Sequence, residues 1–225
     1  MSTKFSKFKF KPIVYSNHLS LPVDINAIRY RISVLKNVFE QVESIHNELR
    51  ELSIKLDNEQ QELTKDDDTD DNYDYRYNDE LIDLEFTFYR VNRISAVFSM
   101  YAFLENSLNR ICKDKQSKMN IPISFTDFSG NGIMRAKNYL DKYQIVDFSD
   151  STCNGAWSKL KTLNKLRNAL AHAEGDLEQV QCLDSNAVIN TKGLSLFGST
   201  IMISESYIIE SFDCVEQFLI YVCKD

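Results

Sequence analysis

INAIRYRISVLKNVFEQVESIHNELRELSIKLDNEQQEL, residues 25–63, sets Ile28, Leu35, Val42, Leu49, Leu56 and Leu63 at intervals of seven. Ile32, Val38, Phe39, Ile45 and Leu52 widen the stripe. Apolar residues at this spacing keep to one face of a helix over many turns, and no glycine or proline interrupts them. The segment therefore reads as one long helix that packs as a hairpin or coiled-coil arm. His46 stands where the seam otherwise carries apolar side chains, and its reading as a packing histidine outweighs a catalytic one.

A second helical pattern answers the first. Leu84, Phe88, Val91, Ile94, Phe98, Tyr101, Leu104, Leu108 and Ile111 recur at helical spacing and predict a return helix over about 80–115. Between the two, residues 65–80 hold eight acidic side chains with Tyr73, Tyr75 and Tyr77, which suits a solvated connection at the tip of a hairpin or the docking of a basic partner. Asp66, Asp68 and Asp70 begin like a calcium loop, but Asp71 stands where glycine is needed and Tyr77 where the closing glutamate belongs.

The remaining chain predicts shorter elements. These are a loop at 121–132, a helix over 133–143 and a helix from about Ala156 with Leu160, Leu163, Leu166 and Leu170 buried and Gly175 as its stop. A hairpin follows over 187–204, with Val188-Ile189 and 194–203 flanking turns at Lys192-Gly193 and Gly198-Ser199. A last amphipathic helix starts near Ser204 or Glu205 and uses Tyr207, Ile208, Phe212, Val215, Phe218, Leu219 and Val222. The expected fold is mainly α, a helical bundle with a long antiparallel hairpin and a small β-hairpin before the C-terminal helix. Residues 1–225 read as a single domain. It comprises a basic, aromatic arm at 1–23, the helical hairpin at 24–115 and the remainder at 116–225.

Composition narrows the function classes. Six glycines and three prolines in 225 residues favour long regular elements. Five scattered cysteines, Cys112, Cys153, Cys182, Cys214 and Cys223, form no close pair of metal-ligand spacing and read as reduced thiols. No signal-peptide core and no apolar run of membrane-spanning length occurs, so a cytoplasmic protein without membrane contact is expected. A net charge of -7 argues against nonspecific coating of nucleic acid, yet leaves room for one small basic site. In the arm, residues 4–11 interleave four lysines with three phenylalanines, which suits either single-stranded nucleic acid or a short edge strand.

That basic site has a candidate. From Gly155 to Ala173 the chain carries Lys159, Lys161, Lys165 and Arg167 and no acidic residue. Within it lies Lys165-Leu166-Arg167-Asn168-Ala169-Leu170-Ala171-His172. On an ideal helix Asn168 and His172 share a face with Lys161 and Lys165, whereas Arg167 falls about 140° from His172, at the edge of the leucine stripe. Nine arginines and three histidines make the spacing alone a weak signal, so the acid-free context carries the argument.

Arg167, Asn168 and His172 resemble the signature of the HEPN superfamily, an arginine, a polar residue and a histidine after a short gap. Tyr101-Ala102-Phe103-Leu104-Glu105-Asn106-Ser107-Leu108 is similar to the family helix that packs against the motif helix. The resemblance implies a metal-independent endoribonuclease acting as a toxin or antiviral-defence effector. It also implies a homodimer whose two motifs meet in one cleft, an antitoxin or effector partner, and no cofactor or metal. Arg167 and His172 would be catalytic, Asn168 and Glu105 supporting, and Lys159, Lys161 and Lys165 candidates for RNA binding. Imidazole, with an unperturbed pKa of about 6.5, suits acid–base work near neutrality. Guanidinium suits a phosphate that gains charge. The alternative is a HEPN-like module that binds RNA, nucleotide or protein beside another subunit without cleaving; a third is a coiled-coil adaptor built on the 25–63 seam.

Overall fold

The computed structural model describes residues 24–64 and 83–224. The basic arm and the acidic connection read from the sequence lie outside them.

Helix α1 spans Ile25–Thr64, as the heptads require, and Asp24 caps it by accepting the Ala27 N–H at 2.8 Å. A six-residue π-helical turn, Asp83–Phe88, leads into α2, Tyr89–Lys118. This start departs from the expected uniform stripe. Beyond the turn α2 is regular, and Val91 falls about 160° round it from the buried Tyr89. Tyr89, Ala96, Val97 and Met100 are buried, while Phe88 and Val91 are exposed.

A short 3-10 turn, Phe125–Asp127, precedes α3, Gly132–Lys142. Helix α4 runs Ser151–Ala173, five residues longer at its start than the leucine spacing indicates, because Asp150 accepts the Thr152 and Cys153 N–H groups. Val188 and Ile189, expected in a strand, lie instead in the short helix α5, Ser185–Ile189. Asp184 accepts the Ala187 N–H at 2.7 Å and turns the chain helically, and this local cap overrides the β-branched preference. The hairpin is confined to β1, Leu194–Phe197, and β2, Thr200–Ile203, around Gly198-Ser199, with Leu194 opposite Ile203 and Phe197 opposite Thr200. Helix α6, Glu205–Cys223, closes the chain behind a Ser204 cap.

Four long helices form the body. The pairs Asn47–Tyr89 and Glu43–Arg93 set α1 antiparallel to α2. Arg29–Glu216 and Lys36–Asp213 do the same for α1 and α6. Tyr101–Asn164 and Arg90–Glu174 set α2 antiparallel to α4. All four expected leucines of α4 are buried, and so are the seven apolar residues expected of α6. Each such side chain contributes roughly 1.5–3 kcal/mol through burial. No described helix is long and apolar enough to cross a membrane.

One ion pair sits inside this core. Glu43 is buried to 1% exposure, and both its carboxylate oxygens accept from Arg93, at 3.2 and 2.7 Å. Asn92 donates to it as well, at 2.9 Å. Arg93 also donates to the Ile203 carbonyl of β2 and stacks over the Tyr89 ring. Removing one partner strands a desolvated charge. Arg93→Ala is expected to lower the unfolding free energy by about 3–5 kcal/mol in urea titration, and Glu43→Gln, which keeps polar partners for Asn92, by less.

Candidate functional site

The α2–α4 contact assembles the site. Arg167 is half-buried, and its guanidinium lies over the Tyr101 ring, 5.1 Å from the centroid. Such a contact contributes about 0.5–2 kcal/mol and restricts a long side chain. Arg167 Nη1 donates to Asn168 Oδ1 at 3.0 Å. The Tyr101 hydroxyl donates to Asn164 Oδ1 at 2.6 Å and accepts the backbone N–H of Ile133 in the first turn of α3. Tyr101 thus joins three helices, and Arg167 rests on it.

Glu105 takes a different place from the one expected. Among the described residues no hydrogen bond or ion pair joins it to Arg167. Its carboxylate lies beside the first residue of α3, since a side chain built on Gly132 would come within 3.4 Å of Glu105 Oε1 and 3.2 Å of the Tyr101 hydroxyl. Helix starts favour negative charge, which gives Glu105 a structural partner there. Burial, and secondarily Glu105, push the Tyr101 hydroxyl above the usual tyrosine range, while Arg167 and the Ile133 N–H oppose the shift.

His172 is exposed in the last turn of α4. Lys161 and Lys165 are exposed as well, and among the described residues none of these three side chains has a hydrogen bond or ion pair. They share one solvent-facing stripe with Asn168. Lys159 departs from them. It lies on the opposite flank of α4 and lines, with Thr162, Lys192, Tyr207, Glu210 and Cys214, a cavity of about 140 Å³ against α6. The solvent-facing stripe at the motif is therefore Lys161, Lys165, Asn168 and His172, and Arg167 lies about 120–160° round the helix from its two lysines, against the α2 contact.

The end of α4 is held on two sides. Glu174 and Gly175 take positive φ, and the Gly175 N–H returns to the Ala169 carbonyl. A side chain at Gly175 would press to 3.1 Å of Leu170, so glycine is required there for space as well as conformation. Arg90 of α2 donates to the Glu174 carbonyl, and the Ile201 N–H of β2 donates to that of Gly175 at 2.9 Å. These contacts fix the helix end one turn from His172.

Sequence reasoning missed Tyr101, Asn164 and Arg90 as parts of this site. Asn164 was detectable, three residues before Arg167 and four before Asn168 on adjoining helix faces. Tyr101 fits the apolar stripe of α2, and its hydroxyl contact depends on which helix lies opposite. Among the described residues no group of three or more His, Cys, Asp or Glu side chains is placed to hold a metal ion. No family model, curated protein or solved structure matches the chain.

The polar side of Tyr101 can be separated from its ring. Tyr101→Phe keeps the platform under Arg167 and removes both hydroxyl contacts, an expected loss of about 1–2 kcal/mol in chemical denaturation. Tyr101→Leu removes the platform as well and costs more. Because the folded hydroxyl ionises above the ordinary value of 10.0, its contribution is intact below that pH and is lost as pH rises through the folded value. Tyr101→Phe should therefore flatten part of the alkaline stability loss, measured as unfolding midpoint against pH.

Proposed function

We infer that the chain is a metal-independent endoribonuclease of HEPN type. The observation that carries this reading is the platform-held Arg167 on the same acid-free helix as the exposed Lys161, Lys165 and His172, in a chain of net charge -7. The mainly helical body and the small hairpin before α6 are compatible with that family.

The chemistry follows from the groups present. The 2′-hydroxyl of a ribose gives up its proton to an imidazole, His172, as its oxygen attacks the adjacent phosphorus. Arg167 donates to the phosphoryl oxygens as negative charge grows on them, and Asn168 positions Arg167. The bond from phosphorus to the 5′-oxygen breaks, and that oxygen takes up a proton from an imidazolium. The products are a 2′,3′-cyclic phosphate and a 5′-hydroxyl. Lys161 and Lys165 hold neighbouring phosphates. DNA, lacking the 2′-hydroxyl, is not cut.

Arg167 and His172 are about 140° apart on α4, so one copy does not direct both at one phosphate. Two motifs meeting across a two-fold axis answer this, with the base drawn from one subunit and the guanidinium from the other. In this reading the protein is a cytoplasmic toxin or antiviral-defence effector, restrained by an antitoxin or activated by an effector partner. The same separation favours a second reading, a HEPN-like module that binds RNA or nucleotide through the cationic stripe and cleaves nothing.

The test is incubation of the purified protein with total RNA in EDTA, with cut ends mapped. Cleavage leaving cyclic-phosphate ends is expected, reduced about 100-fold or more by His172→Ala and by Arg167→Ala. Lys161→Ala with Lys165→Ala should weaken RNA binding and lessen its salt dependence at nearly unchanged maximal rate. Intact RNA with retained, lysine-dependent binding would replace the enzyme by the binding module. DNA cleavage would overturn the 2′-hydroxyl mechanism.

A further inference from the structure

Helix α1 carries two apolar faces, and the body uses one. Ile28, Ile32 and Phe39 are buried against α2 and α6. The heptad seam itself, Leu35, Val38, Val42, Ile45, Leu49, Leu52 and Leu56, turns progressively away from them. Its spacing alternates three and four without a break, and at 100° per residue it keeps to an arc of about 100°. Between residues 34 and 56 the one polar side chain in that arc is Ser53. Leu35 and Val42 are half-buried, but Val38 is 56% exposed, Ile45 55%, Leu49 48%, Leu52 52% and Leu56 50%. An unbroken a/d seam left in solvent has the pattern of a coiled-coil half, well beyond the scattered apolar exposure of an ordinary surface.

The residues flanking the seam identify its occupant. Reading Leu35, Val42, Leu49 and Leu56 as a positions makes Val38, Ile45 and Leu52 d positions, and Glu48 and Lys55 successive g positions. In an antiparallel pair of identical helices, a faces d and g faces g. Placing Leu49 opposite Leu52 puts Ile45 opposite Leu56. It also sets Glu48 of each copy against Lys55 of the other, giving two opposite-charge pairs related by the two-fold axis. A parallel pair would set Glu48 against Ser53 and make no such match. In the antiparallel register the distal half of one α1 lies along Val38 to Ile45 of the other. There Leu56 of one copy covers Ile45 of the other, which stands exposed beside the body. Lys55 is free to turn, since its contact with Glu59 is an exposed i,i+4 pair at 3.8 Å.

We propose that two copies of this chain associate through the outer face of α1 as an antiparallel coiled coil, with Glu48 and Lys55 selecting orientation and register. The pairing is separate from any meeting of motif helices. If both interfaces form, the assembly is a dimer of dimers; if only α1 pairs, it is a dimer. Either way, breaking the α1 seam halves the mass.

The experiment is light scattering on the full chain after size exclusion, across a concentration series, with circular dichroism to check folding. Leu49→Glu with Leu52→Glu, both exposed, should leave the fold intact and halve the mass. Glu48→Lys alone and Lys55→Glu alone should each weaken association several-fold, and Glu48→Lys combined with Lys55→Glu should restore it. A wild-type monomer, or a mass unchanged by the double glutamate variant, overturns the proposal. Single charge variants that associate like wild type, or a combination that does not recover, overturn the antiparallel register. RNA cleavage, measured on the same variants, can fail without touching any of these readings.

Discussion

Arg93 is the constraint on which the arrangement depends. A guanidinium with both carboxylate oxygens of a buried Glu43, the Tyr89 ring and the Ile203 carbonyl around it joins α1, the start of α2 and β2 at one point. Hydrophobic burial along the helices is tolerant of small slides, because one leucine replaces another. A planar donor with this set of partners is not, so it fixes the register between α1 and α2. From β2 the constraint passes to the site. Ile201 binds the Gly175 carbonyl, and Gly175 closes α4 one turn beyond His172. A charge buried on α1 thereby helps to fix the end of the helix that carries the motif.

Electrostatics divides this protein by region. Acidic side chains dominate its total, yet the outer stripe of α4 has none, and α4 contributes its cations to two separate surfaces. Lys159 faces Glu210 on α6, which it helps hold below the usual carboxylate range after Lys192. Lys161 and Lys165 face solvent with His172. Over the whole chain Asp and Glu number 33 against 26 Lys and Arg, so an anionic polymer meets net repulsion at long range and local attraction at Lys161 and Lys165. Such a distribution selects location more than raw affinity, because long-range terms are screened within about 10 Å at moderate salt while contacts at the stripe are not.

The sequence exposed what is periodic and local. The leucines of α4 and seven of the eight buried residues of α6 follow from spacing alone, since burial on one face leaves the same mark wherever the partner is, and the span of α1 follows from heptads whose seam stands mostly exposed. Less visible were the positions where a short-range cap or a phase change takes over. Asp150 lengthened α4, Asp184 made a helix of Val188-Ile189, and a π turn stands at the start of α2, where Phe88 and Val91 face outward. Glu43 could not be read as buried, for its justification is Arg93, fifty residues away. The site divides similarly. Arg167, Asn168 and His172 stand out by type and by the acid-free segment around them, whereas Tyr101 looks like one more apolar residue until Arg167 and Asn164 stand opposite it.

The two halves of the motif have different mechanical supports, and the proposed chemistry depends on that difference. Arg167 is held by a ring beneath it and an amide beside it, with its aromatic support fixed by a hydroxyl bound to Asn164 and to the start of α3. Its position costs little reorganisation when charge develops on a phosphate, which is the condition under which a donor accelerates a reaction rather than merely binding substrate. His172 has no such support and projects from a helix end whose backbone alone is fixed. An imidazole that must accept and later release a proton gains from this freedom, provided that a second surface orients it when substrate is bound. Among the described residues of one subunit none makes a hydrogen bond or ion pair with the His172 side chain, and the roughly 140° between the two side chains keeps Arg167 from the task. In the proposed chemistry that task would therefore fall to a second subunit at the motif face, and the proposed pairing of α1 would raise the local concentration of subunits without taking part in the reaction.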